Sequence, residues 1–223
     1  MTLPEAPNLL APTLLAPTLL EKLRAATGPQ HEALHIHPLL APLSRPDVTG
    51  GQYRDALTAF DAFYRAMEAG RTLRAPEGVP DAPVVAWLAH DLAATGGRPL
   101  ALGVNCPPID SEARLWGYLY VKQGATLGGA VMSKNLNRAL GLRPGVDQLF
   151  FAGYGAETGM RWKELIENLF RQAAKLPHAE IIEMAVASFQ AIAAMCDAVH
   201  STRAGHAVQT ASATLRNPAQ AGA

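Results

Sequence analysis

The chain has 223 residues and a mass of 23.6 kDa, is 49% hydrophobic and 17% charged, and balances 19 Lys and Arg against 19 Asp and Glu. These values predict one globular domain that is large enough to bury a core and an internal pocket. Zero net charge excludes a surface built mainly to neutralise nucleic-acid phosphates or to lie on an anionic membrane.

The two ends of the chain differ in composition from its middle. The sequence APTLL occurs at 11–15 and again at 16–20, and a proline every fifth residue cannot continue one helix. We therefore expect a flexible leader over 1–18. From Arg203 the chain is rich in Ala, Gly, Ser and Thr, so we expect a disordered tail over 203–223. One folded domain is expected over 19–202.

Several features predict a cytoplasmic protein. The chain has no run of about 18 apolar residues, so we expect no transmembrane helix. Pro12 and Pro17 interrupt the apolar run that a signal peptide requires. Cys106 and Cys196 lie far apart and match neither a disulfide framework nor a metal-site spacing, which is typical of a reducing compartment.

Apolar residues recur with a helical period along almost the whole domain, which predicts an all-α fold. The first helix begins near Leu20 and places Leu23, Thr27 and His31 on one buried stripe, with a possible break at Gly28. The same periodicity predicts further helices over 53–67, 84–92, 111–140, 158–174 and 179–199, joined by loops at 75–83, 96–110 and 141–147.

Three glycines interrupt the long fourth helix. Gly124, Gly128 and Gly129 lie within six residues, although each interior glycine costs about 1 kcal/mol relative to alanine. Gly124 and Gly128 fall on one helix face. Such a face allows close packing of another helix or of a flat ligand, and the glycines alone do not decide between these. The segment lacks the Lys-Ser/Thr pair of a phosphate-binding loop.

Three histidines follow the first helical stripe. His31 and His35 are one turn apart, a spacing used by helical zinc sites, but no Cys or third ligand accompanies them. For His35 and His37 we favour a surface or hydrogen-bonding role. His31 continues the stripe, and a neutral imidazole there can bind iron in a porphyrin from one side. Together with the glycine face, it would suit a planar macrocycle held between two helices.

Two segments carry a resemblance to a known family. Residues 23–31 (LRAATGPQH) and 119–129 (LYVKQGATLGG) resemble the proximal-helix and distal-helix segments of the heme oxygenase family, in particular its bacterial, biliverdin-producing branch. The resemblance extends over about 20–199. It implies a single helical domain that holds heme, as both cofactor and substrate, between a proximal and a distal helix.

The resemblance also implies site residues. His31 would be the proximal ligand of the heme iron, and the glycines would let the distal helix pass close to the heme, with Gly124 and Gly128 also serving catalysis. Arg24 and Tyr120 match positions that contact heme propionates, and Phe189 resembles an aromatic residue at the heme edge. Lys163 is a weaker match to the basic rim of the pocket. The implied cofactor-binding set is His31, Arg24, Tyr120, Gly124, Gly128, Gly129 and Phe189.

The implied reaction is the cleavage of heme by O₂ and reducing equivalents to biliverdin, CO and ferrous iron. The sequence has no flavin or dinucleotide fingerprint, so the electrons would come from an external reductase or ferredoxin. The bilin could supply a bacteriophytochrome, or the reaction could serve iron release. No nucleic acid or membrane partner is expected.

The chain departs from the family at three positions. His35 stands where relatives often have a carboxylate that accepts the other N–H of the proximal histidine, which bears on iron potential and on which histidine is the ligand. Ala125 replaces the aspartate of vertebrate relatives, and Gln123 replaces a glutamate common in the bacterial branch.

Two other interpretations stay open. A heme-binding carrier or sensor without turnover would share the fold, and the His35 departure keeps this alternative open. A helical scaffold without a cofactor would use the glycines for helix contact alone. A di-iron bundle ranks low, because the chain lacks the repeated Glu and Glu-x-x-His pattern.

Overall fold

The computed structural model describes the backbone of residues 18–216 and the side chains of residues 18–203. Within that range the chain forms six α-helices and no β-strand, which confirms the all-α prediction. The helices are α1 (Leu19–His35), α2 (Gly50–Ala69), α3 (Val84–Ala94), α4 (Glu112–Leu140), α5 (Thr158–Ala173) and α6 (His178–Arg216). Short 3-10 helices lie at Ala41–Ser44 and Gly155–Glu157.

Local signals in the sequence set most of the helix ends. Thr18 caps α1 through a reciprocal pair of hydrogen bonds with Glu21, and Ser111 caps α4 by accepting a hydrogen bond from the Arg114 backbone N–H. Gly141 ends α4 with φ of +71°, a conformation that favours glycine. The predicted bounds of α2 to α5 are confirmed to within a few residues.

Two predicted boundaries differ from the structure. α1 continues without a break through Gly28 and Pro29. α6 continues to Arg216, beyond the Arg203 where we placed the start of a disordered tail. The alanine-rich composition there is also compatible with a helix. Of the leader predicted over 1–18, residues 1–17 lie outside the described residues, as do residues 217–223 of the predicted tail.

The core forms where α6 packs against α1, α2 and α4. The closest approach is at Gly117 of α4, where a side chain would overlap the backbone carbonyl of Ile181 in α6. Trp116 and Tyr118 beside it are fully buried. Gly117 therefore allows the two longest helices to cross in contact, a role that the sequence analysis did not identify.

One segment of α6, His178–Arg203, is long and apolar enough to cross a membrane by length and composition. Of its most apolar window, 44% is buried inside the fold. Core helices of soluble proteins pass the same test, so this is weak evidence for a membrane span.

Candidate active site

A cavity of about 310 Å³ opens between α1, α4 and α6, within the size range of small-molecule sites. Every residue that we predicted to bind a cofactor lines it: Arg24, His31, Tyr120, Gly124, Gly128, Gly129 and Phe189. These residues come from three helices that are far apart in sequence. The structure thus brings the predicted set together around one space.

His31 and His35 form the α1 wall of the cavity. Their rings meet edge to face with centroids 4.5 Å apart, and the Phe189 ring of α6 lies 6.0 Å from His31. Partial burial lowers the pKa of His31, the neighbouring His35 lowers it further, and Glu32 opposes both effects. The imidazole of His31 is therefore biased toward the neutral form that binds metals.

Our expectation that His31 is buried was wrong, because its side chain is exposed. The stripe of Leu19, Leu23 and Thr27 packs into the core, but His31, one turn later, lines the cavity and stays largely exposed. His35 is exposed and faces the same space. His37 does not line the cavity; its Nε2 lies 3.1 Å from Oδ1 of Asp197 in α6.

The glycines of α4 form the opposite wall, and each has a different local role. A Cβ at Gly128 would meet no atom outside its own stretch of α4 within 4 Å, so that position faces open space. A Cβ at Gly124 would contact the Trp162 ring at 3.7 Å, an ordinary packing distance. A Cβ at Gly129 would lie 2.9 Å from the backbone oxygen of Phe151, so this glycine is needed for close packing.

Arg24 of α1 and Tyr120 of α4 form a polar corner at one edge of the cavity. Burial raises the pKa of Tyr120, while a hydrogen bond with Thr27 and the Arg24 charge oppose the rise. The hydroxyl thus keeps its proton at neutral pH and can donate. Arg24 is exposed, as a group at the mouth would be. Lys163, our weaker match to the rim, does not line the cavity and lies 3.7 Å from Glu167.

An aromatic wall completes the cavity and was missed by the sequence analysis. Phe60 of α2 and Trp162 of α5 contribute to it, as do Phe150 and Phe151 from the segment that follows α4. The Phe60 and Phe150 rings lie 5.0 Å apart, and the Trp162 and Tyr120 rings 5.5 Å apart. Two adjacent phenylalanines outside a helix were the available signal, whereas Trp162 looks like any core residue of an amphipathic helix.

Ala125 and Gln123, which the sequence analysis also singled out, lie in different places. Ala125 lines the cavity. Gln123 points away from it: its amide is buried, and Nε2 donates to the backbone oxygen of Pro80 at 2.7 Å. Gln123 therefore ties α4 to the loop before α3.

The cavity residues fit a flat, largely apolar ligand that carries a metal. The walls are mostly apolar and aromatic, one face offers imidazole nitrogen, and the other has open space at Gly128 where a side chain would intrude. Within the described side chains, no group of three or more His, Cys, Asp or Glu residues could hold a metal ion by itself. A metal bound here would need ligands beyond the protein, as porphyrin iron has.

Comparison with protein-family models finds no match, and comparison with curated protein sequences finds none either. Among solved structures, the chain is similar to a crystal structure of heme oxygenase-1 from the cyanobacterium Synechocystis, in complex with heme. The TM-score is 0.58 at 18% sequence identity, and the match covers 90% of this chain and 98% of the other. The protein therefore has a heme oxygenase-like fold.

Proposed function

We propose that this protein is a heme oxygenase of the bacterial, biliverdin-producing type, which cleaves heme with O₂ and reducing equivalents to biliverdin, CO and ferrous iron. The observation that carries the proposal is the cavity itself. It has histidine on one wall and a glycine face on the other, within a fold similar to that of a heme-binding heme oxygenase.

His31 is the proposed iron ligand. Heme, when bound, supplies the iron that activates O₂ and the porphyrin edge that is oxidised. His31 is favoured over His35 because it continues the α1 stripe of Leu23 and Thr27 and its ring lies 6.0 Å from that of Phe189, which lines the cavity from α6. Its lowered pKa favours the neutral imidazole, which is the form that binds iron.

Gly124 and Gly128 have the proposed catalytic role on the opposite face. The open position at Gly128 leaves room for O₂ beside the macrocycle, and neither glycine brings an acidic side chain. Protons would be carried by waters held on backbone groups. Phe60, Phe150 and Phe151 line the cavity with apolar rings, which would disfavour bulk water beside them.

The polar corner would hold the propionates. The Arg24 guanidinium and the Tyr120 hydroxyl are both donors, and they lie on the facing helices α1 and α4 at one edge of the cavity. Guanidinium and phenol groups pair well with carboxylates. Such contacts would orient heme with its charged edge toward solvent.

The proposed partners follow from this chemistry. Electrons would come from an external reductase or ferredoxin, because the sequence shows no flavin or dinucleotide fingerprint. The bilin would pass to a bacteriophytochrome, or the iron would be recovered, and the reaction would take place in the cytoplasm.

A second proposal, a heme carrier or sensor, is favoured by one observation. His35 faces the cavity where relatives often have a carboxylate, and it contacts His31. An imidazole in this place would change the basicity of the ligand and could disfavour turnover.

Reduction of the hemin complex in air separates the two proposals. With ascorbate or ferredoxin and its reductase as electron donor, an oxygenase converts the Soret band into the broad absorption of a bilin and releases CO. A carrier or sensor keeps its Soret band through the same treatment, and that result would reject the oxygenase.

A further inference from the structure

A buried carboxylate outside the cavity holds the aromatic wall in place. Asp91, near the end of α3, is fully buried. Its oxygens accept hydrogen bonds from the backbone N–H of Leu149, at 2.8 and 2.9 Å, and from that of Phe150 at 2.9 Å. Hydrogen bonds from backbone N–H groups to a carboxylate are among the stronger ones in proteins. They fix the backbone directly before and within the Phe150–Phe151 pair.

Two neighbouring side chains complete the Asp91 site. The Tyr53 hydroxyl of α2 donates to Oδ2 at 3.3 Å, and Nδ1 of His90 lies 3.0 Å from Oδ1. Burial, with the Asp91 charge beside it, raises the pKa of Tyr53, so its hydroxyl keeps the proton that it donates. Asp91 thus connects α2, α3 and the segment after α4.

The segment that Asp91 holds is confined on its other side by α4. The backbone of Phe151 packs against Gly129, and the Phe150 and Phe151 rings lie against Phe60. Gln148, also fully buried, donates to the backbone oxygens of Ser133 and Leu142. Without the Asp91 hydrogen bonds, the Phe150–Phe151 segment would therefore be free to move in one direction, toward the open space of the cavity.

We infer that Asp91 is a positioning residue: it holds the Phe150–Phe151 wall and, through that wall, sets the in-plane orientation of the bound heme. This inference rests on the proposed function. A flat ligand with charged groups at one edge would be free to turn in its own plane, and the shape of the Phe150–Phe151 wall would then select among the orientations. The orientation would decide which porphyrin carbon is oxidised, and thus which biliverdin isomer forms.

The test is Asp91→Asn, which keeps the shape but offers one acceptor oxygen in place of two and turns an NH₂ donor toward the N–H groups. Without heme, we expect amide hydrogen exchange at Leu149 and Phe150 to become about tenfold faster or more. In the hemin complex, NMR of the heme methyl groups is expected to show a changed ratio of orientations. Turnover is then expected to give a changed ratio of biliverdin isomers.

Asp61→Asn is the matched control. Asp61 of α2 is also a fully buried carboxylate, but its oxygens accept no hydrogen bond from the described residues, and it does not line the cavity. We expect this variant to keep the exchange rates, methyl pattern and isomer ratio of the wild type. If both variants show the same changes, the effect does not depend on the hydrogen bonds that Asp91 accepts, and the inference is overturned.

Other results also decide the question. Asp91→Asn that folds, binds hemin and keeps the wild-type methyl pattern and isomer ratio would overturn the inference. If Asp91→Asn does not fold, Tyr53→Phe removes one donor from the same carboxylate, and an unchanged exchange rate at Leu149 and Phe150 together with an unchanged methyl pattern would overturn it. Wild type that binds no hemin would reject the proposed function and the orientation effect together, whereas the exchange rates would still report whether Asp91 holds the wall.

Discussion

His31 and His35 lie one turn apart on α1 with ring centroids 4.5 Å apart, and both rings face the cavity. Because the rings meet edge to face, we expect one imidazole to bind a ligand in the cavity and the other imidazole to hold the first in place. Phe189 borders His31 from α6. We therefore expect the two histidines to have unequal roles.

Replacement of His35 is expected to weaken hemin binding without removing the iron ligand. His35→Ala should lower hemin affinity by about tenfold, as the loss of a side chain that contacts a metal ligand does, and should keep the one-to-one complex and its Soret position. A hemin titration followed by absorption measures both. Loss of the Soret band in His35→Ala would instead identify His35 as the ligand.

Hemin binding is expected to persist to lower pH than it would if the ligand were a histidine with the usual pKa. Iron binds neutral imidazole, so affinity falls as pH drops through the pKa of His31, and partial burial and then His35 lower that pKa. Removal of the His35 charge should raise the pKa of His31. NMR titration of the apoprotein measures this, and an equal or lower His31 pKa in His35→Ala would contradict the account.

Alanine substitutions at neighbouring glycines should separate ligand space from protein packing. Gly128→Ala adds a Cβ that meets no atom outside its own stretch of α4, so the free energy of unfolding should stay the same or increase by up to about 1 kcal/mol. Hemin affinity should nevertheless fall by about tenfold, because the methyl group enters the cavity. Unchanged affinity in this variant would show that the glycine does not serve a ligand.

Gly129→Ala is expected to behave in the opposite way. Its Cβ would lie 2.9 Å from the Phe151 backbone oxygen, a distance that forces the segment or the helix to move. Overpacking of this kind costs about 1–3 kcal/mol of unfolding free energy, measured by denaturant titration of the apoprotein. A stability equal to that of Gly128→Ala would contradict the packing role.

An ion cluster around the buried Lys122 of α4 is expected to support stability. Nζ of Lys122 lies 2.6 Å from Oε1 of Glu68 and 2.5 Å from Oδ1 of Asp81, and the Lys122 side chain is almost fully buried. Lys122→Met leaves the Glu68 and Asp81 carboxylates with Arg71 as their shared cation and should destabilise the protein by about 3 kcal/mol at neutral pH, although Glu68 keeps the Tyr118 hydroxyl as a donor. Lys163→Met, at an exposed ion pair, should change stability by less than about 0.5 kcal/mol.

The same cluster predicts a pH dependence. Desolvation raises the pKa of Asp81, but the hydrogen bonds and charges of Arg71 and Lys122 outweigh it, so the pKa is lowered overall. A lowered carboxyl pKa contributes stability at neutral pH that is lost as pH falls through the folded-state value. The stability difference between wild type and Lys122→Met should therefore shrink on acidification. A difference that grows toward acid pH would contradict this account.

The helices and the cavity residues of α1 and α4 could be predicted from the sequence, whereas the aromatic wall that completes the cavity could not. The first-helix stripe and the α4 glycines carry their own local pattern, so His31, Gly124 and Gly128 could be predicted to share a site. Asp91 and Phe150 belong to the site through contacts 59 residues apart in sequence, and no local pattern encodes such a contact.

The exposure of His31 and the packing role of Gly117 differ from the sequence prediction for one physical reason. A helical stripe predicts which way a side chain points, but not whether another element covers it. His31 lies on the predicted face of α1, yet it is exposed because that face borders an open cavity at this turn. Gly117 shows the converse: it resembles any glycine in the sequence, and only the crossing of α6 makes it indispensable.

The central claim is that His31 holds heme in this cavity, and the most direct test is a hemin titration of wild type and His31→Ala. The account predicts a one-to-one complex with a Soret band in wild type that turns to bilin absorption on reduction in air, and loss or strong weakening of that complex in His31→Ala. A wild type that binds no hemin, or a His31→Ala variant with the wild-type affinity and spectrum, would contradict it.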